Sequence, residues 1–291
     1  MIEFKNFETI IELCKTTGKS VSTLVLSNES EALGLSENAL REKLQEHINI
    51  MKEAARAGVK KGIKSNSGIT GDWAYRLKER QKKSFAGDFL CEALFTALAI
   101  SQINACMGRI VAAPTAGSCG ILHGALITLQ KYRGFSDEIY INGLLNAGCA
   151  GMIIAANATV AGAEGGCQSE CGAAAAMTAS AITEIEGGTP EECGAAIAHA
   201  LKAQMGLICD PVAGLVEEPC IIRNATSVAV AVSCAEMAIS GIRSLIPVDE
   251  VILAMKSVGK SMPESLRETA DGGIAATPTG KRIAELLQNR L

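Results

Sequence analysis

Aromatic residues are scarce in this chain, at 3% of 291 residues, with one Trp and three Tyr. A core built on large rings is therefore excluded, although the hydrophobic fraction reaches 48%. Much of that fraction is alanine, so burial must come from many small contacts between closely approaching helices. An excess of positive charge is missing as well. Lys and Arg total 27 against 31 Asp and Glu, for a net charge of −4, with a sequence pI of about 5.6. A nucleic-acid surface needs a basic face, so no nucleic-acid partner is expected. Strand-like alternation is nearly absent, and Tyr140-Ile141 is too short to build a sheet. No low-complexity tract or clear internal repeat appears. The first residues, MIEFKNFETIIELCK, lack a charged segment followed by a clean apolar one. No signal peptide is read, and a reducing, cytoplasmic setting is expected.

Mean hydropathy is +0.24, and the stretches 143–163 and 225–246 approach spanning length. The first contains Asn146 and Asn157, with Glu164 just beyond; the second contains Glu236 and Arg243. Alanine and glycine, which drive insertion weakly, dominate both. They read as buried helices of a soluble domain, with no membrane partner.

What the chain has in quantity is cysteine, eleven residues in all. In a reducing compartment such residues are ligands, redox groups or small core hydrophobes rather than disulfides. Most are expected to pack, with three or four doing chemistry. The histidines, His47, His123 and His199, are well separated.

Residues 1–62 read as an N-terminal helical arm. Leu40, Leu44, Ile48, Met51 and Ala55 recur at helical spacing after Ser36, a good N-cap residue. Lys52, Arg56, Lys60 and Lys61 are expected on a solvated face. Residues 65–71 (SNSGITG) form the seam, and residues 63–291 read as a helical catalytic domain. Helices are predicted over about 86–108, 119–133, 137–161, 168–186, 190–205, 224–243, 248–260 and 280–290. Thr189-Pro190-Glu191-Glu192 carries a helix start, and Ser136 and Thr279 are further cap candidates. The expected fold class is all-α, a multi-helix domain of small-residue-rich helices with glycine-rich functional loops.

Three such loops interrupt the apolar helices: residues 112–120, 162–172 and 209–220. In the first, glycines let backbone N–H groups approach a ligand, and a following helix N-terminus favours an anion such as a carboxylate. The third places Cys209 and Cys220 at either end of a turn-rich stretch, each expected beside a helix, where N–H dipoles stabilise a thiolate. Spacing alone leaves a metal site and two buried thiols equally open.

These loops resemble those of the iron–sulfur-dependent L-serine dehydratase family, in particular the α chain of its two-chain form. The matching segments are AAPTAGSCGI (112–121), GGCQSECGAA (165–174), CDPVAGLVEEPCIIRNA (209–225) and MPESLRETADGGIAATPTGK (262–281), and the similarity runs from about residue 65 to the end. The resemblance implies a [4Fe–4S] cluster on Cys167, Cys209 and Cys220 with one iron open. It implies dehydration of L-serine to pyruvate and ammonia without pyridoxal phosphate. Cys171, four residues after Cys167, is the reserve ligand. Cys106, Cys119, Cys149, Cys193 and Cys234 are expected to pack, Cys119 near the site. Thr115, Ser118, Arg223, Asn224 and Arg267 are the substrate-binding candidates. For both arginines an ion pair with Glu217, Glu218, Glu268 or Asp271 is the competing reading. His123 is expected to be a packing residue, and the general base is unassigned. The chain lacks the SSHT-type segment of the single-chain members and has no cysteine beyond Cys234. The resemblance therefore implies a separate β chain. The alternatives are a cysteine or threonine β-elimination enzyme, or a non-catalytic iron–sulfur redox sensor.

Overall fold

The computed structural model describes residues 4–289, so the outermost residues of the ranges 1–62, 63–291 and 280–290 lie outside what is described. The helices run α1 (Phe7–Thr17), α2 (Val21–Leu33), α3 (Glu37–Gly58), α4 (Trp73–Arg80), α5 (Gly87–Ala105), α6 (Cys119–Arg133) and α7 (Asp137–Asn157). They continue α8 (Gly162–Gly165), α9 (Ala173–Ile185), α10 (Pro190–Gln204), α11 (Cys220–Ile239), α12 (Val248–Ser261) and α13 (Pro278–Gln288). Among the described residues there is no strand, only the isolated bridges Lys64–Gly71 and Cys209–Arg267. The fold is all-α.

Local chemistry accounts for most helix starts. Ser36 accepts from the Ala39 N–H and Ser136 from the Ile139 N–H. Thr189 forms a capping box with Glu192 behind Pro190. Thr279 is not a cap. Pro278 occupies the first helical position of α13, which leaves Thr277 to accept from the Gly280 N–H. Helix α4 has no counterpart in the sequence-based ranges. Its eight residues are polar on most faces and bury only Ala74, so periodicity gave little signal. Lys52 departs from the solvated face expected of it and pairs with Asp137 at 2.6 Å.

Alanine determines how the layers meet. Helix α9 (AAAAMTASAITEI) is buried from Ala173 to Thr183 and packs against α6, α7, α10 and α11. Helices α5 and α6 approach so closely that a Cβ on Gly124 would lie 2.9 Å from the Cα and Cβ of Ala97. Contacts of this kind replace the missing rings, since interiors must reach crystal-like density whatever the side-chain size. Helices α1 and α2 join the same core through Phe7, Ile10, Val21 and Leu24, and Asp249 of α12 accepts from the Phe7 and Glu8 N–H groups at the start of α1. Helices α7 and α11 are long and apolar enough to cross a membrane, and their most apolar windows are 67% and 50% buried within the protein.

A methyl group at Gly124 has no room unless α5 and α6 separate. Gly124→Ala is expected to destabilise the chain by about 1–3 kcal/mol, read as a lowered denaturant midpoint; an unchanged midpoint would mean the two helices separate at little cost.

Candidate metal centre

The second loop presents its cysteine through a glutamine staple. The Gln168 N–H donates to the Leu207 carbonyl, its side chain donates to the Met255 carbonyl, and its Oε1 accepts from the Gly206 N–H. Gly166 adopts φ 75°, and a Cβ there would collide with Met262 Sδ at 2.7 Å. Residues Gln168–Gly172 then form a π-helical turn leading into α9, a distortion often found at functional sites.

The third loop delivers two more thiols. Cys220 is the first residue of α11, as expected. Cys209 differs: it lies in an extended segment, its N–H donating to the Leu266 carbonyl and its carbonyl accepting from the Glu268 N–H. No helix end supports this thiol, which is held by a bridge to the 266–268 segment.

Ligand atoms of Cys167, Glu170 and Cys209 all lie within 4.8 Å of one another. Cys167, Cys209 and Cys220 are buried at 2%, 2% and 8% exposure. Hydrogen bonds from Cys171, Cys209 and Arg223 hold the Cys167 thiol well below its usual range, against the opposing effect of burial. The hydrogen bond to Cys167 and then burial push Cys209 up, and burial followed by the charge on Cys167 raises Cys220. Three buried thiols from two loops, within electrostatic reach of one another, are a donor set suited to a thiophilic metal or an iron–sulfur cluster. Cys171 Sγ stands 3.5 Å from Cys167 Sγ. Cys119 packs, as expected, with Met51, Ala54, Ala55 and Ile100. Cys149, Cys193 and Cys234 are buried, whereas Cys106 is half-exposed and donates to the Lys64 carbonyl.

The remaining candidates fall into two groups. Asn224, fully buried, donates to the Gly117 and Cys220 carbonyls and accepts from the Gly120 N–H. Ser118 is buried and exchanges hydrogen bonds only within the loop 113–118. Both are occupied in shaping the first loop. Arg223 donates to Asp210 Oδ1 at 2.8 Å and to the Ile208 carbonyl at 2.9 Å. Its ion-pair partner is thus Asp210, not any of the four acids expected, because Glu217 turns away to accept from Ser67 and Thr70. Arg267 forms no ion pair among the described residues. Its Nη1 reaches the Glu164 carbonyl at 3.4 Å, and its buried Nε has no hydrogen-bond partner. Thr115 is half-buried and donates to Glu170 Oε1 at 2.8 Å.

Two residues of the site escaped sequence reasoning. Burial pushes the Glu170 carboxyl up to about 7, against the pull of the Thr115 hydrogen bond; its position three residues after Cys167 was the available signal. Asp210, 1% exposed, also accepts from the Ile274 N–H and so ties the 267–276 segment to the third loop. His123 Nδ1 lies 2.9 Å from the Tyr140 hydroxyl in a fully buried setting that lowers its pKa to about 3.

Comparison with known proteins places these features in a lineage. The profile of the family described as "Serine dehydratase alpha chain" matches residues 16–275. The chain is similar to the probable L-serine dehydratase, alpha chain, of Bacillus subtilis (strain 168), at 42% identity over 96% of this chain and 94% of that one. It is similar to the L-serine dehydratase, alpha chain, of Peptoniphilus asaccharolyticus, at 42% identity over 94% of each. The L-serine dehydratase of Streptomyces coelicolor is 36% identical over 94% of this chain and 60% of its own length.

Removing Asp210 leaves a largely buried guanidinium unpaired. Asp210→Ala is expected to cost roughly 3–5 kcal/mol and to speed amide exchange at Ile274; slow exchange there would show that Asp210 does not hold the segment. A second prediction concerns pH. His123 is neutral in the folded chain down to about pH 3, but the unfolded chain protonates it near 6.5. Its contribution is therefore intact above pH 6.5 and is lost as pH falls toward 3, at about 1.4 kcal/mol per unit. Unfolding of His123→Gln should depend less steeply on pH in that window than unfolding of the wild type; parallel profiles would refute the assignment.

Proposed function

Because this chain belongs to the serine dehydratase alpha chain family, we propose that it is the α chain of an L-serine dehydratase, a lyase converting L-serine to pyruvate and ammonia. The observation that supports the reading is that ligand atoms of Cys167, Glu170 and Cys209 lie within 4.8 Å of one another, with the buried Cys220 in electrostatic reach, beside Arg267, which is bridged to Cys209 and whose buried Nε has no partner. These cysteines are assigned to a [4Fe–4S] cluster, and the enzyme is independent of pyridoxal phosphate. When bound, a cluster iron with an open position supplies Lewis-acid assistance to the departing hydroxyl.

Dehydration requires a proton to leave Cα and hydroxide to leave Cβ, and the chain's own groups position the substrate for both. Arg267, held beside Cys209 by the bridge, presents Nε to the substrate carboxylate, for which a fork-shaped cation is suited. Thr115, anchored on Glu170, places its hydroxyl at the edge of the same space. Ser118 and Asn224 contribute from behind by fixing the first loop, so that its N–H groups keep their aim. Arg223 adds its charge to the hydrogen bonds from Cys171 and Cys209 that favour the anion at Cys167. Burial of the thiols excludes water and strengthens every charge interaction in the site. Elimination leaves an aminoacrylate, whose tautomerisation and hydrolysis yield pyruvate and ammonia.

A separate β chain completes the enzyme in this reading. Support comes from coverage: the chain spans 94% of the Bacillus and Peptoniphilus α chains but 60% of the Streptomyces protein. A cytoplasmic location follows from the same assignment. Preference among L-serine, L-threonine and L-cysteine rests on a methyl group or a sulfur-for-oxygen exchange, and side-by-side rates decide it.

Anaerobically purified chain, combined with its β chain, should contain iron and sulfide and release pyruvate from L-serine. Cys209→Ala should lose iron and lower turnover more than about 100-fold, beyond the loss typical of an outer-shell partner. Iron without pyruvate formation would favour a redox sensor. Aldimine absorbance removed by borohydride in an iron-free, active preparation would overturn the mechanism.

A further inference from the structure

Four cations converge on a cavity of about 430 Å³ that none of the candidate site residues lines: Lys52 and Arg56 of α3, Lys78 of α4 and Lys131 of α6. In a chain of net charge −4, positive charge is concentrated here. Two of the four are already neutralised, Lys52 by Asp137 and Lys131 by Glu92, each at 2.6 Å. Arg56 and Lys78 are exposed and form no ion pair among the described residues. The cavity is set well away from the first loop, since about 18 Å of helix separates Lys131 from Cys119 at the head of α6.

The buried part of the lining is apolar, with Ala55 and Phe95, save for one group. Thr96 also lines the cavity, is 5% exposed, and its hydroxyl has no hydrogen-bond partner among the described residues. Other buried helical threonines behave differently. Thr128, Thr178 and Thr183 each donate to the carbonyl four residues back, a bond that Thr96 does not make to Glu92. A buried polar group left unpaired costs free energy and is tolerated where something else completes the bond. The cavity therefore combines two unspent positive charges, a free hydroxyl beneath them and an apolar base.

We propose that this cavity binds a small organic dianion, a phosphate monoester or a dicarboxylate, between Arg56 and Lys78, with the Thr96 hydroxyl donating to it. A guanidinium fork and an ammonium both suit carboxylate and phosphate oxygens, and two free cations select a doubly charged ligand over a singly charged one. The volume lies in the range of small-molecule sites, which pair an apolar lining with a few placed polar groups. Phe95 and Ala55 receive the hydrocarbon part of the ligand. Glu92 also lines the cavity, and Lys131 holds its carboxylate, so the excess charge facing the ligand is positive. The site is independent of the cluster assignment.

The test is calorimetric titration of the full chain, combined with its β chain, with glycerol 3-phosphate, succinate and acetate at constant ionic strength. At least one dianion should bind saturably, and the tighter of the two identifies the phosphate or the dicarboxylate as the preferred group. Acetate should bind about tenfold more weakly or worse. Arg56→Gln and Lys78→Gln should each weaken binding by about tenfold, as lost hydrogen bonds between charged groups do. The near-isosteric Thr96→Val should weaken it roughly fivefold, with its thermal melt confirming the fold. Lys260→Gln, an exposed residue of α12 that does not line the cavity, should bind like the wild type. Absence of saturable binding by both dianions would overturn the proposal, as would acetate binding equally well. Equal losses in Lys260→Gln, or full affinity in both Arg56→Gln and Lys78→Gln, would reduce the effect to diffuse charge attraction and overturn it too.

Discussion

A guanidinium taken out of water has to be neutralised where it sits, and the site is organised around meeting that requirement for Arg223. One edge of its fork meets the carboxylate of Asp210 and the other the Ile208 carbonyl, while its charge bears on Cys167. Three pieces of chain far apart in sequence are thereby fixed to one another: the π-helical turn of the second loop, the 208–210 segment of the third, and, through Asp210, the backbone at Ile274. The positive charge that stabilises the thiolate is the same one that holds the loops in register. Electrostatics and architecture are inseparable here.

Such an arrangement of loops needs a rigid support, and the small-residue core supplies it. Helices that meet through alanine and glycine have few rotamers to explore, so the ends of α6, α9 and α11 are held with little freedom. Asn224 shows the consequence. From within α11 it bonds the carbonyl of Gly117 and the N–H of Gly120, which is possible only because Gly120 offers no side chain; a Cβ there would lie 2.5 Å from the Ala97 carbonyl. The scarcity of aromatic residues and the precision of the first loop are thus two results of one packing choice.

Much of this was legible in the sequence. Caps such as Ser36, Ser136 and Thr189 act over three residues, so local reading finds them. Cys167 and Cys209, whose ligand atoms lie within 4.8 Å of each other, were named through resemblance, which compresses three-dimensional information that spacing does not contain. What escaped was pairing at a distance. The partner of Arg223 was sought among Glu217, Glu218, Glu268 and Asp271, and the carboxylate that meets it is Asp210, brought round by the turn at 211–219. Glu217 has its own assignment, accepting from Ser67 and Thr70 across 150 and 147 residues of sequence. The extended bridge at Cys209 was invisible for the same reason, since a single pair of backbone bonds leaves no alternation to detect.

Hydrogen-bonding capacity offers a way to separate scaffold from machinery. Gln168, Asn224, Ser118 and Asp210 make their hydrogen bonds to the protein itself. Arg267 is different: its buried Nε has no partner, a state that costs free energy and is tolerated where something else completes the bond. The Glu170 carboxylate is also only partly satisfied, held by one hydroxyl and a distant thiol. Both lie against the thiol group rather than in the alanine core, where every polar side chain of α9, from Thr178 to Thr183, finds an acceptor. Of the buried polar atoms without a partner among the described residues, on Ser101, Gln102, Ser169, Gln204 and Arg267, that of Arg267 is the one on a charged group, and under the proposed function it is the one left for a charged, polar substrate.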